Sequence, residues 1–357
     1  MTPKESKSEN SSVGIGVIGC GHWGMNYVRI FQELPNARLV AVCDQRRERL
    51  EEVLRRRPSM RVTDNASEVF ADPAVDAVVI CADASSHYHL VNSALLADKD
   101  VLVEKPMATV ARDAAALTSI AETNHRVLMV GHTFIYNAGV RKLKEIIANN
   151  SGQIYYLNAC RTNLGPIRRD VNAVWDLATH DIAIFNYLLG LMPQWASAIG
   201  AKVLRNCRED VAFITLGYSG NILGHIQVSW ADPNKARELA VVCSDKRIVF
   251  NDLNGLEQVR IFEKGIRPVV LEPSTFGEYQ LQIRDGDIVS PKIEASEPLK
   301  TECRHFLDCV ASGSHPLTDG RDGYDVLCVL EAVDRSMKAG GAQMEVLNGR
   351  AVHRKAA

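Results

Sequence analysis

The segment VGIGVIGCGHWG, Val13 to Gly24, confines what this chain can fold into more than any other. Six residues that are short for a helix, largely β-branched and apolar on both faces run directly into Gly19-Cys20-Gly21-His22-Trp23-Gly24. A lone G-x-G-x-x-G is a weak signal. Here it follows a strand, opens a helix, and is trailed by a second apolar run, ARLVAVCD, that ends in Asp44, and this ordered set is the dinucleotide-binding fingerprint. Its glycines have separate tasks: a tight turn, close backbone approach to a pyrophosphate, and close packing of helix on strand. The first-turn amides of the helix then meet the phosphates. Asp44 can accept a hydrogen bond from a ribose 2'-hydroxyl and repels a 2'-phosphate, so NAD is expected over NADP; Arg46 and Arg47 follow at once and soften that discrimination.

The same grammar continues to about His132. The apolar runs DAVVICA, DVLVEKP and RVLMVGH alternate with amphipathic stretches such as HLVNSALLAD and RDAAALTSIAETN. Strand and helix in alternation imply an α/β Rossmann domain, a doubly wound parallel sheet, over residues 13–134. After Phe134 the pattern changes. VAFITLGYSG with NILGHIQVSW, and ELAVVCSDKRIVFND by itself, read as hairpins. Residues 135–340 are therefore expected to form an α+β domain with a large, mainly antiparallel open sheet, closed by the helices ECRHFLDCVASG and GYDVLCVLEAVDRSMKAGG. The polar residues 1–12 read as a disordered tail and 341–357 as a C-terminal extension.

Bulk properties exclude several classes. A formal net charge of -2 gives no electrostatic reason to bind nucleic acid or a membrane surface, and no apolar run approaches bilayer length. The nine cysteines include no Cys-x-x-Cys pair, the usage of a reducing cytoplasm. His87 and His89 lack companions at metal-ligand spacing, so no metal is expected.

Chemistry enters with VWDLATHDIAIFNYLLG, Val174 to Gly190. Ala178, Ile182, Phe185 and Leu189 make an apolar stripe at helical spacing, while Asp176 and His180, four apart, share a face turned away from it. The helix alone reads most plainly as a solvated acidic N-terminus favoured by the helix dipole. The rest of the chain changes that reading. Glu104-Lys105-Pro106 closes the fifth strand, and Asp-x-x-x-His follows some seventy residues later. This ordered set, beyond a Rossmann fingerprint, resembles the Gfo/Idh/MocA family of sugar and cyclitol oxidoreductases, over Val13 to about Ala339. His87, after the fourth strand, also fits; Ala82, Asp83 and Ala84 stand where members often carry Thr-Pro-Asn.

The resemblance implies an enzyme that uses NAD, with Gly19, Gly21, His22, Trp23, Gly24, Asp44, Arg46, Ala82, His87, Glu104 and Lys105 at the cofactor. It implies that the Asp-x-x-x-His helix faces the nicotinamide, with Lys105, Asp176 and His180 as the catalytic set. Oxidation of a secondary alcohol needs a proton acceptor that titrates near neutrality, which histidine does. His180 is accordingly the expected base, Lys105 the group that polarises the oxygen, and Asp176 the group that orients the pair; Lys105 as the base is the alternative. Asp181 reads as structural. In the loop RTNLGPIRRDVNAVW that feeds the helix, Arg161, Arg168 and Arg169 suit an anionic substrate group, and Asn163, Asn172, Trp175 and, earlier, Tyr136 suit hydroxyls and rings. The loop looks like the subgroup that oxidises UDP-N-acetylglucosamine at C3, supplying a PLP-dependent aminotransferase in amino-sugar and lipopolysaccharide biosynthesis. UDP-N-acetylglucosaminuronate, inositol or free sugars, a transient-oxidation hydrolase, and a non-catalytic NAD sensor are the alternatives. Family members associate through the large sheet, implying a homodimer or homotetramer.

Overall fold

The computed structural model describes residues 12–149, 152–168, 170–204, 207–268 and 281–349. The expected tail up to residue 11, Arg169 and residues 350–357 lie outside the described residues. The chain divides into two compact units, the first running to Tyr136 and including Glu297–Leu327, the second covering Asn137–Ser296 and the segment from Cys328.

In the first unit β1 (Val13–Ile18), α1 (His22–Glu33), β2 (Ala37–Cys43), α2 (Arg47–Arg56), β3 (Arg61–Thr63), α3 (Ala66–Ala71), β4 (Ala77–Ile80), α4 (Ala84–Leu96), β5 (Asp100–Glu104), α5 (Ala111–Thr123) and β6 (Leu128–Gly131) alternate without exception. The strands form one parallel sheet in the order β3-β2-β1-β4-β5-β6. β1, β4 and β5 are buried along their full length, because helices cover both faces of such a sheet. α1 seats Tyr27, Val28, Ile30 and Phe31 on it and stops at Leu34, whose extended backbone is what a following proline requires. Strand order reverses between β1 and β4, which places a ligand crevice at the carboxyl ends of these two strands.

The second unit begins with α6 (Ala138–Ala148), β7 (Ile154–Leu164) and α7 (Thr179–Leu189). It continues through β8 (Trp195–Ala201), β9 (Val211–Gly217), β10 (Leu223–Ser229), β11 (Ala231–Cys243), β12 (Arg247–Asn251), β13 (Val259–Phe262), β14 (Gly265–Pro268), β15 (Leu281–Arg284) and β16 (Ile288–Val289). Both expected hairpins are present: β9 and β10 close at Gly217 opposite Leu223, β11 and β12 at Val242 opposite Arg247. The sheet order is β16-β13-β12-β11-β7-β10-β9-β8-β17, where β17 is Met344–Glu345, and β10 with β7 is a parallel pair in this otherwise antiparallel set. Along these strands buried Leu157, Ala198, Ile214 and Ile226 alternate with exposed Tyr156, Ile199, Phe213 and Leu223, the period-two signature of a sheet with one face on a core.

The expected boundary at residue 135 does not hold for the C-terminal helices. α8 (Pro298–Ser312) buries Cys303, Phe306 and Leu307 and packs on α1, and Thr318 bonds the backbone of Val130 in both directions. Residues 297–327 thus complete the first unit, before and into α9 (Gly320–Lys338). Among the described residues no helix is long and apolar enough to cross a membrane.

Candidate active site

At the end of β1 the glycines are dictated by space. Gly19 has φ +91, and a Cβ there would lie 2.8 Å from the backbone of Cys81 and Ala82; one on Gly24 would lie 1.8 Å from the Gly19 carbonyl oxygen. His22 and Trp23 are exposed in the first turn of α1, where amides have no intrahelical acceptor. Asp44 is buried. Its Oδ2 accepts the Cys20 amide at 2.6 Å, and its Oδ1 accepts the Arg46 amide at 2.9 Å and Nε at 3.3 Å. Burial opposes the charge, yet these amides hold the carboxyl below its ordinary value, so Asp44 is an acceptor. This loop and carboxylate fit a dinucleotide. The Cys20 thiol inside it is pushed up to about 12, chiefly by burial and then by Asp44, and stays protonated.

Lys105 follows β5, and the Lys105–Pro106 bond is cis. Its supports lie in the first unit and differ from expectation in two respects. Glu104 turns inward: Oε1 accepts the Tyr27 hydroxyl at 2.9 Å and Oε2 the Lys105 amide at 3.2 Å. It braces the strand end from below. His87 is 1% exposed, with Nδ1 2.7 Å from the Pro106 carbonyl oxygen and Nε2 2.9 Å from that of Ala82. Each nitrogen thus faces a backbone carbonyl, of which a neutral imidazole donates to one, and the ring is wedged between the loop after β4 and the loop after β5. His132, one residue past β6, is buried, and burial, followed by the Lys105 ammonium, drives its titration down to about 4.

In the second unit Val174 to Gly190 is not a uniform helix. Residues Val174–Ala178 form a π-turn and α7 begins at Thr179, with Gly190 ending it at φ +66. The local sequence supplies the turn: the Asn172 side chain accepts the Trp175 amide at 3.0 Å, and the Thr179 hydroxyl donates to the Trp175 carbonyl at 2.5 Å. Single π-turns inside helices recur at functional sites. Asp176 and His180 are both half-buried, on either side of this π-to-α junction. Asp176 is oriented from two sides, by Arg168 Nη1 and by Trp230 Nε1, each at 3.3 Å.

The other expected substrate contacts separate clearly. Arg161 is not available to a ligand: its guanidinium forms a bidentate pair with Asp181 at 2.8 and 2.9 Å, both buried. That pair explains why Asp181 points into the core. Arg168 is part-exposed and carries Asp170 at 3.0 and 2.5 Å besides Asp176. Asn172 is buried as the cap and donates to Glu209; Trp175 is 8% exposed and donates Nε1 to Asp334 at 2.8 Å. Asn163 donates to the Gly165 carbonyl. Tyr136 is 1% exposed in the first unit, its hydroxyl 3.1 Å from Thr318 Oγ1. A side chain so enclosed is a packing residue, which corrects its expected place at the substrate. Tyr27, His132, Trp230 and Glu302 were missed by sequence reasoning; the one local signal was the histidine directly after a Rossmann strand.

With this geometry in view, residues 13–132 match the family model described as oxidoreductase family, NAD-binding Rossmann fold, and residues 140–249 match the GFO/IDH/MocA C-terminal domain. The chain is similar to myo-inositol 2-dehydrogenase of Thermotoga maritima, at 27% identity over 91% of this chain and 96% of that one. It is similar to UDP-N-acetylglucosamine 3-dehydrogenase of Acidithiobacillus ferrooxidans at 26% identity, over 91% and 97%. Among solved structures, GenD2 from gentamicin A biosynthesis, in complex with NAD, superposes with a TM-score of 0.79 at 21% identity, covering 98% of this chain and 100% of that one, a likeness of fold.

Proposed function

From a chain that belongs to the GFO/IDH/MocA family of NAD-binding oxidoreductases, we infer an NAD-dependent sugar dehydrogenase, and we propose that it oxidises UDP-N-acetylglucosamine at C3 to the 3-keto sugar. The observation that carries the chemistry is the Asp176–His180 pair at the π-to-α junction, with Asp176 held by Arg168 and Trp230. Bound NAD supplies the hydride acceptor. His180 takes the alcohol proton, Lys105 polarises the reacting oxygen, and Asp176 orients the sugar by accepting a hydroxyl. Glu104 and His87 fix the backbone on both sides of Lys105, so the ammonium is delivered from a rigid strand end rather than a loose loop.

Similarity to the UDP-N-acetylglucosamine 3-dehydrogenase supports the nucleotide sugar. One observation favours a second reading, an uncharged polyol. Arg161 is neutralised by Asp181 and Arg168 by two aspartates, which leaves less positive charge for a diphosphate. NADH absorbance with UDP-N-acetylglucosamine, its uronate, myo-inositol and glucose decides between them; turnover of inositol alone overturns the nucleotide-sugar reading. Coupling to glutamate and a PLP-dependent aminotransferase, with mass detection of a 3-amino product, tests the proposed metabolic partner. Exposed Tyr156, Ile199, Phe213 and Leu223 on the large sheet support self-association through that face, which sedimentation checks.

A further inference from the structure

Behind Lys105 lies a carboxyl group that the proposed chemistry does not use. Glu104 and Gly131 are direct partners across β5 and β6. A Cβ placed on Gly131 would sit 3.3 Å from Glu302 Oε1 and 3.4 Å from Glu104 Cδ, so two carboxyl groups, one from α8 and one from β5, converge on the space this glycine leaves. Glu302 is 0% exposed, and neither of its carboxyl oxygens has a hydrogen-bond partner among the described residues.

Two carboxyl groups that converge on one buried space resist ionising together. Donors decide which one carries the charge. Glu104 receives two, the Tyr27 hydroxyl and the Lys105 amide, and each favours its ionised form. An ionised Glu302 would be a buried charge that no well-formed hydrogen bond among the described residues compensates, since the neighbouring Thr133 and Tyr27 hydroxyls fall short of hydrogen-bond geometry toward it.

We propose that Glu302 is held as a neutral carboxylic acid and acts as a positioning residue, fixing the Glu104 carboxylate under the Lys105 backbone. The inference rests on the reading of Lys105 as catalytic. Burial, followed by the Glu104 charge, raises the Glu302 carboxyl well above the usual carboxylate range, and Thr133 and Tyr27 offset this only in part. The same two causes raise the Tyr27 hydroxyl, which therefore stays a donor to Glu104. α8, remote in sequence from β5, thereby constrains the strand end that presents Lys105.

The test combines infrared spectroscopy with kinetics on the full chain. At pH 7 the wild type should show a protonated-carboxyl C=O band that disappears in Glu302→Gln, while that neutral isostere keeps kcat within about threefold. Glu302→Leu, which fills the space but frees Glu104, should lower kcat by about 10- to 100-fold with NAD affinity unchanged. Where Glu302→Leu does not fold, Glu302→Asp withdraws the carboxyl by one methylene and should show the same split. Absence of a band that Glu302→Gln removes overturns the neutral acid; wild-type kcat in a folded Glu302→Leu or Glu302→Asp overturns the positioning role, since a residue that only packs would change melting temperature alone. The infrared result does not depend on finding the substrate, so failure of the dehydrogenase reading remains distinguishable.

Discussion

Replacing His132 with leucine should remove a defined part of the protein's acid sensitivity. The imidazole is 3% exposed, has no hydrogen-bond partner among the described residues on either nitrogen, and titrates at about 4 against an ordinary 6.5. The folded pKa is depressed, so the stabilisation is fully present above 6.5 and is lost as pH falls toward 4, where the unfolded chain binds a proton that the folded chain refuses. At about 1.4 kcal/mol per pH unit, the whole gap is worth about 3 kcal/mol, and the part already lost at pH 5 is about 2 kcal/mol. Leucine is close in volume and leaves no donor or acceptor unpaired, so at pH 7.5 the variant should match wild type within about 1.5 kcal/mol. Urea unfolding at pH 7.5, 6 and 5 checks this. The stability difference between variant and wild type should move by about 2 kcal/mol in favour of His132→Leu between the extremes, all other carboxylates and histidines cancelling. Parallel pH dependence of the two proteins would falsify the argument, as would an NMR resonance of His132 that titrates near 6.5. Since Lys105 is the lesser cause, Lys105→Met should raise that titration without restoring it.

Three further outcomes follow from the site. Asp44→Ala should narrow a preference for NAD over NADP, measured by isothermal titration; equal or tighter NADP binding to the wild type would show that the carboxylate does not set the choice. Lys105→Ala and His180→Ala should each lower kcat by about 100-fold or more with little change in NAD affinity, and a folded His180→Ala enzyme with normal turnover removes the histidine from the chemistry. Arg161→Met should destabilise by about 3–5 kcal/mol because it strands the Asp181 carboxylate, whereas the double change Arg161→Met with Asp181→Leu should recover most of the loss in thermal unfolding.

The sequence by itself determined the alternating strands and helices of the first unit up to about residue 134, but not its completion by residues 297–327. Short apolar runs alternating with amphipathic ones bury both faces of a strand in a parallel sheet flanked by helices, whereas the order β3-β2-β1-β4-β5-β6 was decided by the tertiary structure. The sequence determined the glycine turn and the place of Asp44 as well, since both are set by residues within a few positions of one strand end. The hairpins of the second unit were equally local. Beyond strand order, what tertiary structure alone decided is partner choice. Arg161 looked like a ligand grip until Asp181, twenty residues away, closed on it. His87, Glu104 and Tyr136 sat at positions that face a crevice in the resemblance, yet their polar atoms found Ala82, Pro106, Tyr27 and Thr318 in the interior. Periodicity reports which face of an element is apolar. It is silent on which buried polar group will meet a donor, because desolvation makes that pairing compulsory only after distant segments have packed. Glu302 is the extreme case: a charged residue in an ordinary amphipathic helix, whose protonation state is decided by a glycine and a glutamate about 170 and 200 positions away in the chain, brought beside it by the fold.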